Sequence, residues 1–222
     1  GDPAALLMVE FYGESDAELS AKVDRLKSHL AQQGYRGTTI IAETEQQKAN
    51  AIKMRKAGFA LLMGLRGEKK PLSFVEDAAV PVEHLADYVS AVQAIVASHG
   101  ASLVMLGHAS AGCLHIHPIL NLKTVEGLRQ YRAIGEACAN LVLNYGGTTS
   151  GEHGEGLSRG EFSEKLFGPQ LVEAFRQVKR AFDPRGLMNP GKVVDVGPMD
   201  DADILRYGPK YAVPYAPERV RL

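Results

Sequence analysis

Cysteine is nearly absent: Cys113 and Cys138 are the only two among 222 residues. That is too few for a disulfide framework, and they stand too far apart for a chelating C-x-x-C. A reducing compartment is the simplest expectation, hence a cytoplasmic protein, with room for peripheral association at the inner face of a membrane. No apolar run approaches the ~20 residues needed to span a bilayer, and no charged-then-apolar signal opens the chain. An excess of either charge is missing as well, with Lys+Arg 25 against Asp+Glu 26, which argues against nucleic acid or an anionic lipid surface as the main partner. The dinucleotide fingerprint is lacking too: Gly146-Gly147-x-x-x-Gly151-x-x-Gly154 follows a helical stretch, not a strand. There is no internal repeat and no low-complexity tract. The start at Gly1-Asp2-Pro3, without an initiator Met, suggests an excised or processed piece of a longer protein.

What is present is ordinary globular material, 45% hydrophobic and 23% charged, in a length ample for a packed core. Four of the seven histidines fall in two glycine-rich stretches, Gly107-His108-Ala109-Ser110-Ala111-Gly112-Cys113-Leu114-His115-Ile116-His117 and Gly146 to Gly156 around Glu152-His153. The first reads as strand, turn, strand. A hairpin centred between Ala111 and Gly112 makes His108 and His115 cross-strand partners, about 4.5–5.5 Å apart at Cβ, from which two imidazoles can converge on one ion. His117 then shares their face. Glu152 and His153 can add a carboxylate and a further imidazole from a loop whose glycines allow close approach. A His₂Glu set with an open position suits a divalent Lewis acid, and Zn²⁺, Mn²⁺ and Fe²⁺ all accept these ligands. Because Glu152 and His153 are adjacent, the natural division is carboxylate to the metal and imidazole to proton transfer. Arg55 can clamp a carboxylate with its bidentate fork. Glu155 reads as a solvent-facing loop charge and Cys113 as a small packed residue.

Along the chain, Ala5 to Tyr12 is a strand candidate. Ser15 with Glu18 opens a helix that stops at Gly34. Thr38 to Ala42 is a short strand, and Thr44 with Gln47 opens a second helix through about Ala57. Phe59 to Met63 and Phe74 to Val80 are further strand candidates. Pro81 and Glu83 introduce a helix ending at Gly100, and another runs from about Val125 to Leu143. Glu161 to Phe182 is helical in pattern, with a break expected at Gly168-Pro169. The tail from Asn189 on, with prolines at 190, 198, 209, 214 and 217, reads as an extended wrap or linker. Strands alternate with helices, yet the histidine hairpin joins two neighbouring strands directly. The expected class is therefore α+β: antiparallel sheet covered by helices, with two ferredoxin-like halves from the repeated strand-helix-strand order.

Gly107-His108-x-x-x-Gly112-x-Leu114-His115, then Ser150-Gly151-Glu152-His153-Gly154-x-Gly156, then Phe182-Asp183-Pro184-x-Gly186-x-x-Asn189-Pro190-Gly191-Lys192 resembles the C-terminal domain of FAD-linked oxidases of the vanillyl-alcohol-oxidase type. That group includes D-lactate, glycolate and D-2-hydroxyglutarate dehydrogenases. The resemblance covers nearly the whole chain, with 1–195 as the cap and substrate domain and 196–222 as a tail toward a further module. It implies a duplicated ferredoxin-like fold, a 2-hydroxyacid as small-molecule partner, and FAD held mainly by a separate N-terminal domain. His108, His115 and Glu152 match its metal ligands, and His153 its proton-accepting base. Arg55 falls near its carboxylate-binding arginine. Asn189 and Lys192 lie in the closing motif that returns toward the flavin. Three departures bear on substrate: Ser110-Ala111-Gly112-Cys113 replaces Gly-Asp-Gly-Asn, His117 stands where the 2-hydroxyglutarate enzymes have asparagine, and Val75 where they have a substrate-binding lysine. The form Gly-His-Ala-Ser-x-Gly-Cys-Leu-His, with Leu205-Arg206-Tyr207-Gly208-Pro209, resembles the subgroup fused to a C-terminal iron–sulfur module, for which this chain has no cluster cysteines.

The implied function is the substrate- and metal-binding part of a flavin-dependent D-2-hydroxyacid dehydrogenase, inactive by itself. The rivals are a metal or ligand sensor on a ferredoxin-like sandwich and a dimerisation module with structural histidines. His153 beside Glu152 weighs against a sensor, which needs no proton acceptor.

Overall fold

A capping box starts the first helix, as its residue types dictate. In the computed structural model, which describes residues 4–212, Ser15 Oγ accepts from Glu18 N at 3.3 Å and Glu18 Oε2 accepts from Glu14 N at 2.9 Å, opening α1 (Asp16–Gln32). Gly34, at φ 73, follows its end. Helix α2 (Glu45–Met63) opens the same way, with Thr44 Oγ1 accepting from Gln47 N at 3.2 Å and Gln47 Oε1 accepting from Thr44 N at 3.0 Å. The chain divides into two compact units, up to Arg55 and from Lys56 on.

Three strand expectations fail here. Ala5 to Tyr12 and Thr38 to Ala42 are irregular; the first unit shows no strand among its described residues, so neither segment has a ladder to take up its backbone N–H and C=O groups. Phe59 to Met63 is helical. Between Ala57 and Phe59 the only breaker is Gly58, whose penalty of about 1 kcal/mol is smaller than the loss of a helix end that carries Ala, Leu and Met.

The second unit holds the sheet. Its centre is β4 (Cys113–Leu120), flanked on one edge by β3 (Ser102–His108) and on the other by β1 (Lys70–Pro71) and β2 (Ala78–Ala79), all antiparallel. Leu114, Ile116 and Leu120 of β4 point into a core shared with α3 (Leu85–Ser98) and α4 (Val125–Asn144), where Tyr88, Val92, Val96, Tyr131, Ile134 and Val142 are buried. The antiparallel α+β class holds, and α3 and α4 lie on the face opposite the histidines. Short α5 (Gly156–Arg159) leads to α6 (Ser163–Phe182), which breaks at Gly168 (φ 76, ψ 161) before Pro169 as its sequence requires. Among the described residues no helix is long and apolar enough to cross a membrane.

The hairpin register differs from the symmetric reading. His108 faces Cys113, and His115 faces Leu106, so each strand residue pairs two positions away from its expected partner. The cause is the loop: Ala109–Ala111 forms a 3₁₀ turn closed by Gly112 N to Ala109 O at 3.2 Å, and Gly112 sits at φ 66. A Cβ on Gly112 would lie 1.9 Å from Val80 O, so only glycine fits. A shift of two leaves facing unchanged. A shift of one would turn Leu114, Ile116 and Leu120 to the wrong side, costing about 1.5–3 kcal/mol for each fully buried side chain.

Phe74 to Val80 is not one strand. The chain leaves β4 after Leu72, whose N–H reaches Pro118 O at 3.0 Å, and returns at Asp77, whose N–H reaches Leu114 O at 2.8 Å. Phe74 and Val75 are both buried, which a straight strand with one wet face does not permit. The excursion buries both and turns Glu76 toward the histidines.

The described tail packs on the second unit without forming a helix or strand. Met199 is 1% exposed, with its N–H held by Glu161 Oε2 at 2.7 Å, and Lys123 Nζ lies 5.4 Å from the Tyr211 ring. The prolines at 214 and 217 lie outside the described residues. Before it, Asp183 clasps the turn into Asn189-Pro190-Gly191-Lys192, accepting from Leu187 N at 2.9 Å, Met188 N at 2.8 Å and Lys179 Nζ at 2.8 Å. Led by the Lys179 contact, these hold its carboxyl at about 2, below the ordinary value of about 3.9. A carboxylate depressed in the folded state stabilises above its unfolded pKa and loses that contribution as pH falls through the folded one. The melting-temperature gap between wild type and Asp183→Asn should therefore be constant above about pH 4 and close toward about pH 2. A gap that persists unchanged across that range would contradict this.

Candidate functional site

On the face of β4 opposite Leu114 and Ile116, His115 and His117 follow one another at the two-residue period of a strand, and His108 enters from the end of β3. Their rings remain close despite the register: His108 and His115 have centroids 5.2 Å apart at 88°. The glycine-rich loop comes to them because it extends the sheet. Thr148 N and Ala79 O are 2.9 Å apart and Ala79 N and Thr148 O 3.0 Å, and a side chain on Gly147 would strike Ala79 O at 2.3 Å. Four residues later the loop delivers Glu152 and His153, and His153 stacks on His115 with centroids 5.1 Å apart at 8°.

One atom is the hub. Glu152 Oε1 lies 3.5 Å from His108 Nε2, 3.3 Å from His115 Nε2 and 3.5 Å from His153 Nε2. Two donors on one tetrahedral ion at about 2.0–2.1 Å each stand roughly 3.3–3.4 Å apart, a spacing compatible with these distances. His115, Glu152, His153 and Asp77 each offer an atom within 4.8 Å of the others. His108, His115, Glu152 and His153 are thus brought together. Glu152 and His153 are about half exposed, whereas His115 is 14% exposed, so the cluster opens to one side. Burial lowers the His115 pKa, partly offset by Glu76, a direction that favours the neutral imidazole needed for metal ligation.

Two neighbouring acids without a role in the sequence analysis belong to this site. Glu76 Oε1 is 3.2 Å from His153 Nδ1 and 3.9 Å from His115 Nδ1, on the far side of both rings from Glu152. Asp77 is fully buried at φ 76. Its carboxylate accepts from Ser150 Oγ at 2.5 Å, His153 N at 2.7 Å and Glu152 N at 3.0 Å, and Cys113 Sγ donates to it at 3.4 Å. Burial by itself raises the Asp77 pKa, but the donors from Ser150, His153 and Glu152 outweigh it and hold the group well below the usual carboxylate range. A signal for them exists: two consecutive acids inside an apolar strand-like run cannot both reach water. Cys113 is packed as its type suggests, with burial pushing its thiol up to about 12.

Glu155 corrects an expectation. It is 8% exposed, not solvent-facing, and accepts from Thr149 Oγ1 at 2.8 Å with Arg159 Nε 3.7 Å away. Desolvation raises its pKa. The loop needs an internal anchor for its glycines, and this carboxylate supplies one.

The other candidates are placed less centrally. His117 is fully buried, with Nδ1 3.3 Å from Ser73 Oγ and its ring 5.7 Å from Phe59; burial lowers its pKa. Val75 is 5% exposed and brings no charge. Arg55 is exposed on α2, in the first unit. Asn189, at φ 45, and Lys192 are exposed in the turn after Asp183.

The sequence model of the family described as FAD linked oxidases, C-terminal domain, matches residues 1–193. Among curated proteins, the chain is 40% identical over 190 residues to a D-2-hydroxyglutarate dehydrogenase of Pseudomonas putida, covering 84% of this chain and 18% of that protein. It is 38% identical over 194 residues to the D-2-hydroxyglutarate dehydrogenase of Escherichia coli, covering 85% and 19%. A D-lactate dehydrogenase of Archaeoglobus fulgidus is 33% identical over 192 residues, covering 86% and 39%. The chain spans less than a fifth of the length of the two D-2-hydroxyglutarate dehydrogenases.

Proposed function

The chain belongs to the family of FAD-linked oxidase C-terminal domains, and from that premise we propose that it is the substrate- and metal-binding part of a flavin-dependent dehydrogenase that oxidises a D-2-hydroxyacid to the 2-oxoacid. The observation that carries this reading is the placement of three imidazole Nε2 atoms at 3.3–3.5 Å around Glu152 Oε1. His108, His115 and Glu152 would hold a divalent cation, with Zn²⁺, Mn²⁺ and Fe²⁺ as candidates. When bound, such a cation supplies Lewis-acid polarisation of the substrate hydroxyl.

His153 Nε2 takes the hydroxyl proton. Its Nδ1 faces Glu76 at 3.2 Å, which leaves Nε2 as the basic nitrogen and stabilises the imidazolium that results. FAD, held mainly by another part of the longer polypeptide, would supply the hydride acceptor for the substrate carbon. Arg55 and His117 are the candidates for orienting the acid's carboxylate, and Asn189 and Lys192 for contacts toward the flavin. The tail motif from Leu205 to Pro209 fits a chain that continues into an iron–sulfur module. D-2-hydroxyglutarate is the first substrate to try, since the Pseudomonas putida relative of that name is 40% identical, against 33% for the Archaeoglobus fulgidus D-lactate dehydrogenase. The uncharged Val75 and the buried His117 make D-lactate the second.

The test is anaerobic mixing of the full-length flavoprotein with D-2-hydroxyglutarate, D-lactate, glycolate and the L-enantiomers. Bleaching of the flavin absorbance by a D-acid is the expected result, together with no turnover by the 222-residue chain alone. A flavin-loaded protein that no D-2-hydroxyacid bleaches would overturn the reading.

A further inference from the structure

Asp77 is placed to be either a ligand or a support. It lies within ligand-sharing distance of His115, Glu152 and His153, but its lone pairs are already engaged. Oδ2 accepts from Ser150 Oγ, Glu152 N and His153 N, and Oδ1 from Glu152 N at 3.2 Å and Cys113 Sγ. A carboxylate so occupied would have to surrender those hydrogen bonds to reach a cation.

The rest of the residue is equally committed. Its N–H is bound to Leu114 O at 2.8 Å, one residue before His115 on β4, and its C=O accepts from Gly151 N at 2.7 Å. Asp77 therefore touches both halves of the site, the strand through its N–H and the 150–153 turn through its carbonyl and carboxylate. Ser150 in turn accepts from Gly154 N at 2.7 Å, closing the turn on itself. The left-handed backbone at φ 76 aims carbonyl and carboxylate at the same turn; Asp and Asn are among the few residues that accept that conformation.

We infer that Asp77 is the positioning residue of this site: it fixes the distance between His115 on β4 and the Glu152-His153 pair on the loop, and so sets both metal affinity and the alignment of the base. The inference rests on the reading of the cluster as a metal-dependent hydroxyacid site. Nothing about Asp77 requires it to touch metal or substrate.

The informative variant is Asp77→Asn, which keeps the shape and tolerates the backbone, but replaces one acceptor oxygen by a donor facing N–H and O–H groups. In the full-length flavoprotein, Zn²⁺ affinity measured by chelator competition should fall about 10–100-fold, the range for losing a group that orients ligands. At saturating Zn²⁺, kcat should remain depressed while KM for the hydroxyacid changes less, because His153 N has lost its anchor. Ser150→Ala, which removes one donor only, should show a smaller loss in the same direction. If Asp77→Asn lowers the melting temperature yet leaves Zn²⁺ affinity and kcat at their wild-type values, Asp77 is a scaffold residue and the inference falls. A His115→Ala control separates the two layers: Zn²⁺ binding unaffected by that change would overturn the metal reading itself, whatever Asp77 does.

Discussion

Replacing His153 by alanine in the full-length flavoprotein is expected to lower kcat about 10²–10⁴-fold while bound metal stays near one per chain, the range for removing a positioned general base. The expectation combines two observations. His153 stands at the same 3.5 Å from Glu152 Oε1 as His108 does, so its distance does not separate a base from a ligand. Its other nitrogen faces Glu76 Oε1 at 3.2 Å, which is placed to accept an Nδ1 proton and to balance the charge of a ring protonated at Nε2, although a metal-bound imidazole commonly donates to a carboxylate in the same way. Metal analysis alongside kinetics therefore decides the assignment. Retained metal with lost turnover makes His153 the proton acceptor. Metal lost together with turnover would place it among the ligands and leave the reaction needing another base.

The second large effect belongs to the ligand set. The His108→Ala/His115→Ala double variant should lose essentially all bound metal and with it turnover, and Glu152→Ala should do the same. Glu152 brings the negative charge to a group of imidazoles that are neutral when they ligate, and its Oε1 is the atom that three of them surround. The readout can be independent of activity. A ligand present at about 100 times its Kd stabilises the fold by about 2.7 kcal/mol, so added Zn²⁺ or Mn²⁺ should raise the melting temperature of the wild-type protein by several degrees and leave that of either variant unmoved. An equal rise in the variants would show that the cation binds elsewhere.

Much of the site is legible in the sequence because its chemistry is written in residue types that are rare together. Spacing and the surrounding glycines single out His108, His115, Glu152 and His153, and the structure brings all four together. The hairpin pairing differs by two from the symmetric expectation and the conclusion survives, since side-chain facing on a strand repeats every two residues. Glu76 and Asp77 are hidden because they sit in an apolar stretch that reads as strand. Only the excursion of the chain away from β4 between Leu72 and Asp77 turns both acids to the histidines. A loop address assigns Glu155 to solvent, a rule that fails when a loop folds back on its own helix and finds Thr149 and Arg159.

By itself the sequence determined the helix starts at Ser15 and Thr44, the break at Gly168-Pro169, the antiparallel hairpin, the candidate ligand set and the family. Each of these depends on a residue's own stereochemistry, on a period, or on a motif, all local along the chain. Tertiary structure alone decided which segments became strands, since Ala5 to Tyr12 and Phe59 to Met63 have strand-like composition but no ladder or a stronger helix to join. It also decided that Asp77 grips a turn 73 to 76 residues away. Hydrogen bonds over such separations carry no periodic signature, because they exist only once the core of Leu114, Ile116, Tyr88 and Val142 has brought the two segments into register.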